Sequence, residues 1–203
     1  MAKSHIRNGF DKLEKFCYIK VKINRRRFMI TLALDPSTKS SGWAIYENQE
    51  LKDYGCITAG SANLYNRIHK MISELEEIIK TYKIDNVMIE DVIPEDVKGN
   101  QTVFKALIYL QGFIMDLLDK YSLNNVKFYT ASEWRKKCGI HTGRGVKRES
   151  LKPKDIQFVY SQFGIKVNDD VADAICIGFA AVGGTIKEPQ DVIEVDEYGF
   201  EFG

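Results

Sequence analysis

The sequence predicts an α/β fold built on a mixed five-stranded sheet with helices packed on it. Three short apolar segments follow one another between residues 30 and 58 with tight polar connections, which is typical of an antiparallel meander. After them, helical periodicity alternates with short apolar segments, which favours parallel strands joined through helices. Functional sites in such sheets lie at strand ends.

The strands are short apolar runs that end at turn-forming residues. Pro36 and the small polar residues that follow it separate the first two strands. The five strands are predicted at residues 30–34, 43–46, 54–58, 87–90 and 126–129.

The helices are predicted from apolar residues at three- and four-residue steps. The second helix is apolar around more than half its circumference, so it should pack against more than one neighbour. Pro153 suits a first helical position, and Gly183 suits a helix end. The five helices are predicted at residues 62–82, 101–121, 131–138, 153–163 and 169–182, with a mobile loop over 141–152.

Composition and charge fit one globular domain with appended tails. The 203 residues are 44% hydrophobic and 28% charged, which is ordinary for a folded protein. The net charge of +1 is unevenly distributed, since residues 1–27 carry +7, residues 135–154 carry +7 and residues 187–203 carry −5. We predict a basic N-terminal extension over 1–28, a folded domain over 29–184 and an acidic, disordered tail over 185–203. The basic blocks favour a polyanionic partner, with a solvated surface as the alternative.

Several classes of protein fit poorly. No apolar run is long enough to span a membrane, and the N-terminal residues lack the apolar stretch of a secretory signal. Their basic composition leaves an organelle transit peptide open. The four cysteines and three histidines are scattered, which argues against a zinc site and for a reducing compartment. We expect a cytoplasmic protein.

Carboxylates interrupt apolar segments at three distant places. Asp35 ends the first strand, Glu90 ends the fourth, and Asp170 and Asp173 lie one helical turn apart in the last helix. A buried carboxylate is costly unless positive charge faces it. If the last helix crosses the two strand ends, all four acids converge, since residues three apart share a helix face. All-oxygen sites suit Mg²⁺, for which Mn²⁺ would substitute, and two ions about 3.5–4 Å apart would align a phosphodiester for cleavage.

Each acid also has a purely structural explanation. Asp35 could be a turn residue, Glu90 could lie at a sheet edge, and Asp169 or Asp170 could cap the last helix. Asp173 is harder to explain in this way, because it lies inside the helix and apolar residues follow it. The prediction of a metal site therefore depends on the four acids taken together.

Four segments together resemble the RuvC family of Holliday-junction resolvases, in the form found in bacteriophages. They are residues 34–44 (LDPSTKSSGWA), 89–92 (IEDV), 142–145 (TGRG, with Lys154 downstream) and 170–174 (DVADA). The resemblance extends from about Met29 to Val182. It implies an RNase H-like fold, a homodimer, and Mg²⁺-dependent paired nicking of four-way or other branched DNA.

The resemblance also implies roles for individual residues. The acids Asp35, Glu90, Asp170 and Asp173 match the family's catalytic and metal-binding positions. Ser37 stands where bacterial members usually have glycine, and Ile93 where they tend to have an aromatic residue. These departures leave a broader branched-DNA specificity open. Lys147 or Lys154 falls near the DNA-contacting basic residues of the family. Together with the basic block, this predicts DNA binding by Arg144, Lys147, Arg148 and Lys154.

Further expectations concern DNA contact and assembly. Phosphate contacts position DNA without reading its sequence. Tyr109, Leu110 and Phe113 on the long helix belong either to a two-fold dimer face or to the core. The alternatives to a nuclease are a non-catalytic branched-DNA-binding relative and a nucleotide-binding protein of the actin and sugar-kinase type. The phosphate contacts are expected from Arg135, Lys136, Lys137, Arg144, Lys147, Arg148, Lys152 and Lys154.

Overall fold

The computed structural model describes residues 28–60, 63–94, 100–143 and 150–186. The predicted tails, from residue 27 back and from residue 187 on, lie outside this part, as do residues 144–149 of the predicted loop. The elements follow the predicted order: β1 (Ile30–Asp35), β2 (Ser40–Glu47), β3 (Glu50–Thr58), α1 (Leu64–Thr81), β4 (Asn86–Glu90), α2 (Gln101–Lys120), β5 (Val126–Tyr129), α3 (Ala131–Lys137), α4 (Lys152–Phe163) and α5 (Asp169–Val182).

The strands form one mixed sheet in the order β3-β2-β1-β4-β5. β1 pairs antiparallel with β2, and β2 pairs antiparallel with β3. β4 lies parallel to β1 on one side and to β5 on the other. The predicted fold class, a meander followed by parallel strands, is confirmed.

Helices cover both faces of the sheet and enclose two hydrophobic cores. Leu32 and Leu34 on β1 point to one face, where they pack with residues of α1 and α2. Ala33 points to the other face and packs with residues of α3, α4 and α5. Side chains alternate between the two faces of a strand, so both cores follow from the apolar runs in the central strands.

The helix α5 lies deep in the second core, with every residue from Val171 to Ala180 buried. It contacts all the strands from β1 to β4 and is flanked by α3 and α4. At Gly178 a Cβ would overlap the ring of Tyr46, and the Tyr46 hydroxyl donates to the Ile175 carbonyl oxygen at 2.8 Å. Small residues therefore bring this helix unusually close to the sheet.

Helix ends differ slightly from the predictions, for local reasons. The helix α1 begins at Leu64 because the Asn63 side chain caps it, accepting from the Asn66 amide at 2.9 Å. Asn168 caps α5 in the same way, so the explanation of Asp169 or Asp170 as the cap is wrong. The end of α5 at Gly183, with φ of 68°, agrees with the prediction.

The long helix α2 has one buried face and one exposed apolar face. Leu110 is 1% exposed, so of its two predicted places, a dimer face or the core, the structure shows the core. Tyr109 and Phe113 are 55% and 47% exposed. Across the described segments, no helix has the length and apolar character needed to cross a bilayer.

Candidate metal centre

The carboxyl ends of β1 and β4 bring the first two acids together. These strands are parallel neighbours, with Ala33 opposite Met88 and Leu34 opposite Ile89. Ala33 and Met88 both face α5. Because side chains two residues apart lie on the same face of a strand, Asp35 and Glu90 face α5 as well. The register that pairs the two strands thus sets these two carboxylates side by side.

The helix α5 supplies the third acid, Asp173, to the same place. β2 allows this because Gly42, which pairs with Asp35, leaves room for the backbone of α5. A Cβ at Gly42 would overlap the carbonyl oxygen of Asp170 and would lie 3.2 Å from the Ala174 Cβ. The glycine in the segment 34–44 therefore has a steric role in placing the helix over the strand ends.

Asp35, Glu90 and Asp173 each offer a carboxylate oxygen, and these oxygens all lie within 4.8 Å of one another. Glu90 and Asp173 are only 8% and 4% exposed. The Asp173 Oδ1 atom is buried and has no hydrogen-bond partner among the described residues. Such an oxygen is costly unless a cation or a donor reaches it.

The electrostatics at Asp173 show a deficit of positive charge. Burial raises the pKa of Asp173 to about 10, with further contributions from the negative charges of Asp35, Asp155 and Glu90, and Arg135 only partly opposes them. A site built of carboxylate oxygens with unbalanced negative charge fits a hard divalent cation such as Mg²⁺ or Mn²⁺. The residues present therefore fit the metal that the sequence predicted.

The fourth predicted acid, Asp170, is not a member of this group. It lies one turn before Asp173 on α5, and its carboxylate accepts a hydrogen bond from the Ser40 hydroxyl. The neighbouring Asp169 forms an ion pair with Lys152, which lowers the pKa of Asp169. The metal-binding role of Asp170 remains a prediction, and Asp169 has a structural role.

The basic residues predicted to bind DNA divide into three groups. Arg135 is 3% exposed and paired with Asp155, so its predicted contact with phosphate is wrong. Lys136, Lys137 and Lys154 are exposed, with Lys137 donating to the Tyr129 hydroxyl, while Lys152 is partly buried beside Asp169. The predicted residues Arg144, Lys147 and Arg148 lie outside the described residues.

Sequence reasoning missed two buried residues next to the acids. Trp134 is fully buried, and its indole Nε1 donates to Glu90 Oε2 at 3.3 Å. Asp155 is fully buried on α4 and accepts hydrogen bonds from Arg135. A signal for Asp155 was present, because it lies three and four residues before Phe158 and Val159 on the buried face of α4.

Comparisons with known proteins agree with this geometry. The family model described as "Crossover junction endodeoxyribonuclease RuvC" matches residues 31–181. The protein of that name from Rickettsia africae is 30% identical over 159 residues, covering 76% of this chain and 97% of its own length. That from Ehrlichia ruminantium is 31% identical over 114 residues, covering 49% of this chain and 69% of its own.

Solved structures share the fold at low sequence identity. Thermus thermophilus RuvC in complex with a Holliday junction substrate matches with a TM-score of 0.62 and 12% identity, covering 76% of this chain and 93% of its own. The yeast mitochondrial Holliday junction resolvase matches with a TM-score of 0.50 and 10% identity, covering 77% and 78%. The sheet, the converging acids and the family match lead to one conclusion: this chain belongs to the RuvC family of crossover junction endodeoxyribonucleases.

Proposed function

We propose that this protein is a metal-dependent endonuclease that resolves four-way (Holliday) junctions, or closely related branched DNA, by paired nicks. Membership of the RuvC family supports the reaction class. The Thermus thermophilus structure with a Holliday junction supports the choice of substrate. The nuclease activity is assigned to residues 29–184, with residues 1–28 and 185–203 as appendages.

The observation that carries the proposal is the convergence of carboxylate oxygens of Asp35, Glu90 and Asp173, one of which, Asp173, also has a buried Oδ1 atom without a donor. These three residues would hold Mg²⁺, with Mn²⁺ as a substitute. Asp170 would join them as a fourth ligand, which suits two ions per site. Bound divalent cations supply charge for the scissile phosphate and lower the pKa of water.

The protein's own contribution is to hold the acids in place before metal and DNA arrive. Asp35 and Glu90 are fixed by parallel strand pairing, and Asp173 by the packing of α5. The Trp134 indole donates to Glu90 and orients that carboxylate. Because each carboxylate is held by a rigid element, little reorganisation is needed when the scissile phosphate binds.

The DNA-binding surface is proposed on the side of the site where α4 begins. Lys154 is exposed there, next to Asp155 in the chain, and α4 packs against α5. The pKa of Lys152 is raised, chiefly by its hydrogen bond to Asp169, with contributions from Asp173 and Asp170, so this end of α4 lies near the acids. Arg144, Lys147 and Arg148 precede it in the sequence, and we propose that they also bind DNA.

A homodimer is proposed through the exposed aromatic residues of α1 and α2. The ring of Tyr65 lies 4.2 Å from that of His69, which in turn lies 6.5 Å from Phe113, and Tyr109 is exposed on the same helix as Phe113. Exposed apolar side chains grouped in this way are typical of interaction surfaces. A two-fold dimer would place two active sites symmetrically, as paired nicks in a four-way junction require.

The test compares Asp35→Asn and Asp173→Asn with the parent protein on a labelled four-way junction in Mg²⁺. Each substitution should abolish nicking, because it removes a ligand charge, yet keep junction binding in a gel-shift assay. Glu74→Gln is the control, since it removes one exposed carboxylate on α1. Full nicking by both acid variants would refute the proposed site. A parent that binds the junction but never cuts it would favour the non-catalytic alternative.

A further inference from the structure

Arg135 lies between two acids and forms ion pairs with both, but it forms hydrogen bonds to only one of them. Its Nε donates to both oxygens of Asp155, at 3.1 and 3.0 Å, and its Nη2 donates to Oδ2 at 2.7 Å. The same Nη2 atom lies 3.7 Å from Asp173 Oδ1, beyond hydrogen-bond distance. Both partners are buried, with Asp155 0% and Arg135 3% exposed.

The Arg135 guanidinium group also lies over the ring of Trp134. The Arg135 Cζ atom lies 4.1 Å from the centroid of the Trp134 ring. The same ring donates to Glu90 through its Nε1. The short helix α3 thus carries two adjacent residues that reach two of the three clustered acids.

These contacts place a competitor beside the proposed metal site. A buried arginine needs carboxylate partners, and Asp173, already in a 3.7 Å ion pair with it, would accept a hydrogen bond from it after a small shift. If Arg135 donated a hydrogen bond to Asp173, it would occupy the Oδ1 atom that is proposed for the divalent cation. Asp155 prevents this, because its two oxygens accept two parallel hydrogen bonds from the guanidinium. Such a bidentate pair is stronger than a hydrogen bond to a single oxygen.

We propose that Asp155 is a positioning residue that accepts the hydrogen bonds of Arg135 and so leaves Asp173 Oδ1 for the divalent cation. This inference rests on the proposed function, since it assumes that Asp173 binds metal. It assigns Asp155 and Arg135 a role in metal affinity, although neither is a metal ligand.

The test measures Mn²⁺ binding to the full-length, DNA-free protein by electron paramagnetic resonance. Asp155→Asn should weaken Mn²⁺ binding by about 10- to 100-fold. This is the usual effect of replacing a residue that supports the metal ligands without binding the metal itself. Arg135→Met should leave binding unchanged or tighter, because it removes the competing cation. The double variant should recover to within about threefold of the parent, since a neutral pair can replace a buried ion pair.

Matched controls separate this role from simple stabilisation. Lys127→Met removes an exposed positive charge from β5, and Glu74→Gln removes a carboxylate from α1. Neither should change Mn²⁺ affinity. If Asp155→Asn, Arg135→Met and the double variant all weakened Mn²⁺ binding equally, the inference would be overturned. The ion pair would then affect the metal site only by stabilising the fold.

The design also covers a variant that fails to fold and keeps the two proposals apart. If Asp155→Asn is insoluble, Arg135→Met decides alone: affinity equal to or above that of the parent supports the inference, and a loss of tenfold or more overturns it. If the parent binds no Mn²⁺, or if Asp173→Asn binds it as tightly as the parent, the proposed metal site itself fails. Binding that depends on Asp173 without recovery in the double variant defeats only the role of Asp155.

Discussion

Replacing Gly42 by alanine tests how closely the active site depends on the packing of α5. The added Cβ would overlap the Asp170 carbonyl oxygen and would lie 3.2 Å from the Ala174 Cβ. Ordinary contacts between heavy atoms are about 3.5–4.0 Å, so α5 must move on the order of an ångström away from β2. Because Asp170 and Asp173 lie on α5, the shift changes the site as well as the core.

The expected loss follows from that displacement. Overpacking of a core costs about 1–3 kcal/mol, and for a domain of this size about 2–4 °C of Tm accompanies each kcal/mol. We therefore expect Gly42→Ala to lower Tm by about 2–12 °C. A misplacement of about 1 Å at a reacting centre can reduce the rate about 10²-fold. Junction cleavage should fall by about that factor under conditions where the variant remains folded.

The assay pairs thermal unfolding with single-turnover cleavage of a four-way junction. Gly112→Ala is the matched control, because Gly112 lies inside α2 and a Cβ there would meet nothing within 4 Å. This control should gain about 0.5–1 kcal/mol of stability, since alanine favours a helix over glycine, and should cleave like the parent. A Gly42→Ala protein with parental Tm and cleavage would refute the argument that Gly42 sets the position of α5.

Three further predictions concern DNA binding, assembly and acid stability. Replacing three basic residues of the proposed DNA surface with glutamine should reduce the salt dependence of junction binding by about one unit of log–log slope per lost phosphate contact. The residues are Arg144, Lys147 and Lys154. Phe113→Glu should convert a dimer to a monomer in light scattering, whereas Phe128→Glu, at an exposed phenylalanine on β5, should not. Hydrogen bonds from the Lys120 ammonium and the Tyr121 hydroxyl lower the pKa of Glu76 to about 2 from an ordinary 4.5. The ionised Glu76 carboxylate therefore stabilises the fold above pH 4.5, and this stabilisation is lost as the pH falls towards 2. In urea unfolding, Glu76→Gln should have a lower free energy of unfolding than the parent at pH 7. This difference should vanish as the pH falls from 4.5 to 2.

The fold could be predicted because its signals are local. Apolar runs such as Leu32 to Leu34 mark central strands, and Gly183 marks the end of α5. Each depends on residues only a few positions away, which is the range over which periodicity and turn chemistry act. The order of elements then limits the sheet to few arrangements.

The site could be predicted only in part, because charge alone does not reveal what a side chain faces. Asp35, Glu90 and Asp173 were identified because a carboxylate in an apolar segment is unusual. Arg135 lies in a basic run, and nothing local distinguishes it from its exposed neighbours. Its burial depends on Asp155, twenty residues later, and on the packing of α4 against α5.

The helix α5 explains why core and site cannot be separated in this protein. Asp173 is buried among groups that raise its pKa, so without a cation it opposes folding rather than supporting it. The apolar residues around it, from Val171 to Ala180, must stabilise the helix against that penalty. The position of the acid is therefore set by packing, through close contacts such as Gly178 against Tyr46. A cation bound at the proposed site would therefore relieve an electrostatic strain among acids that packing already holds together.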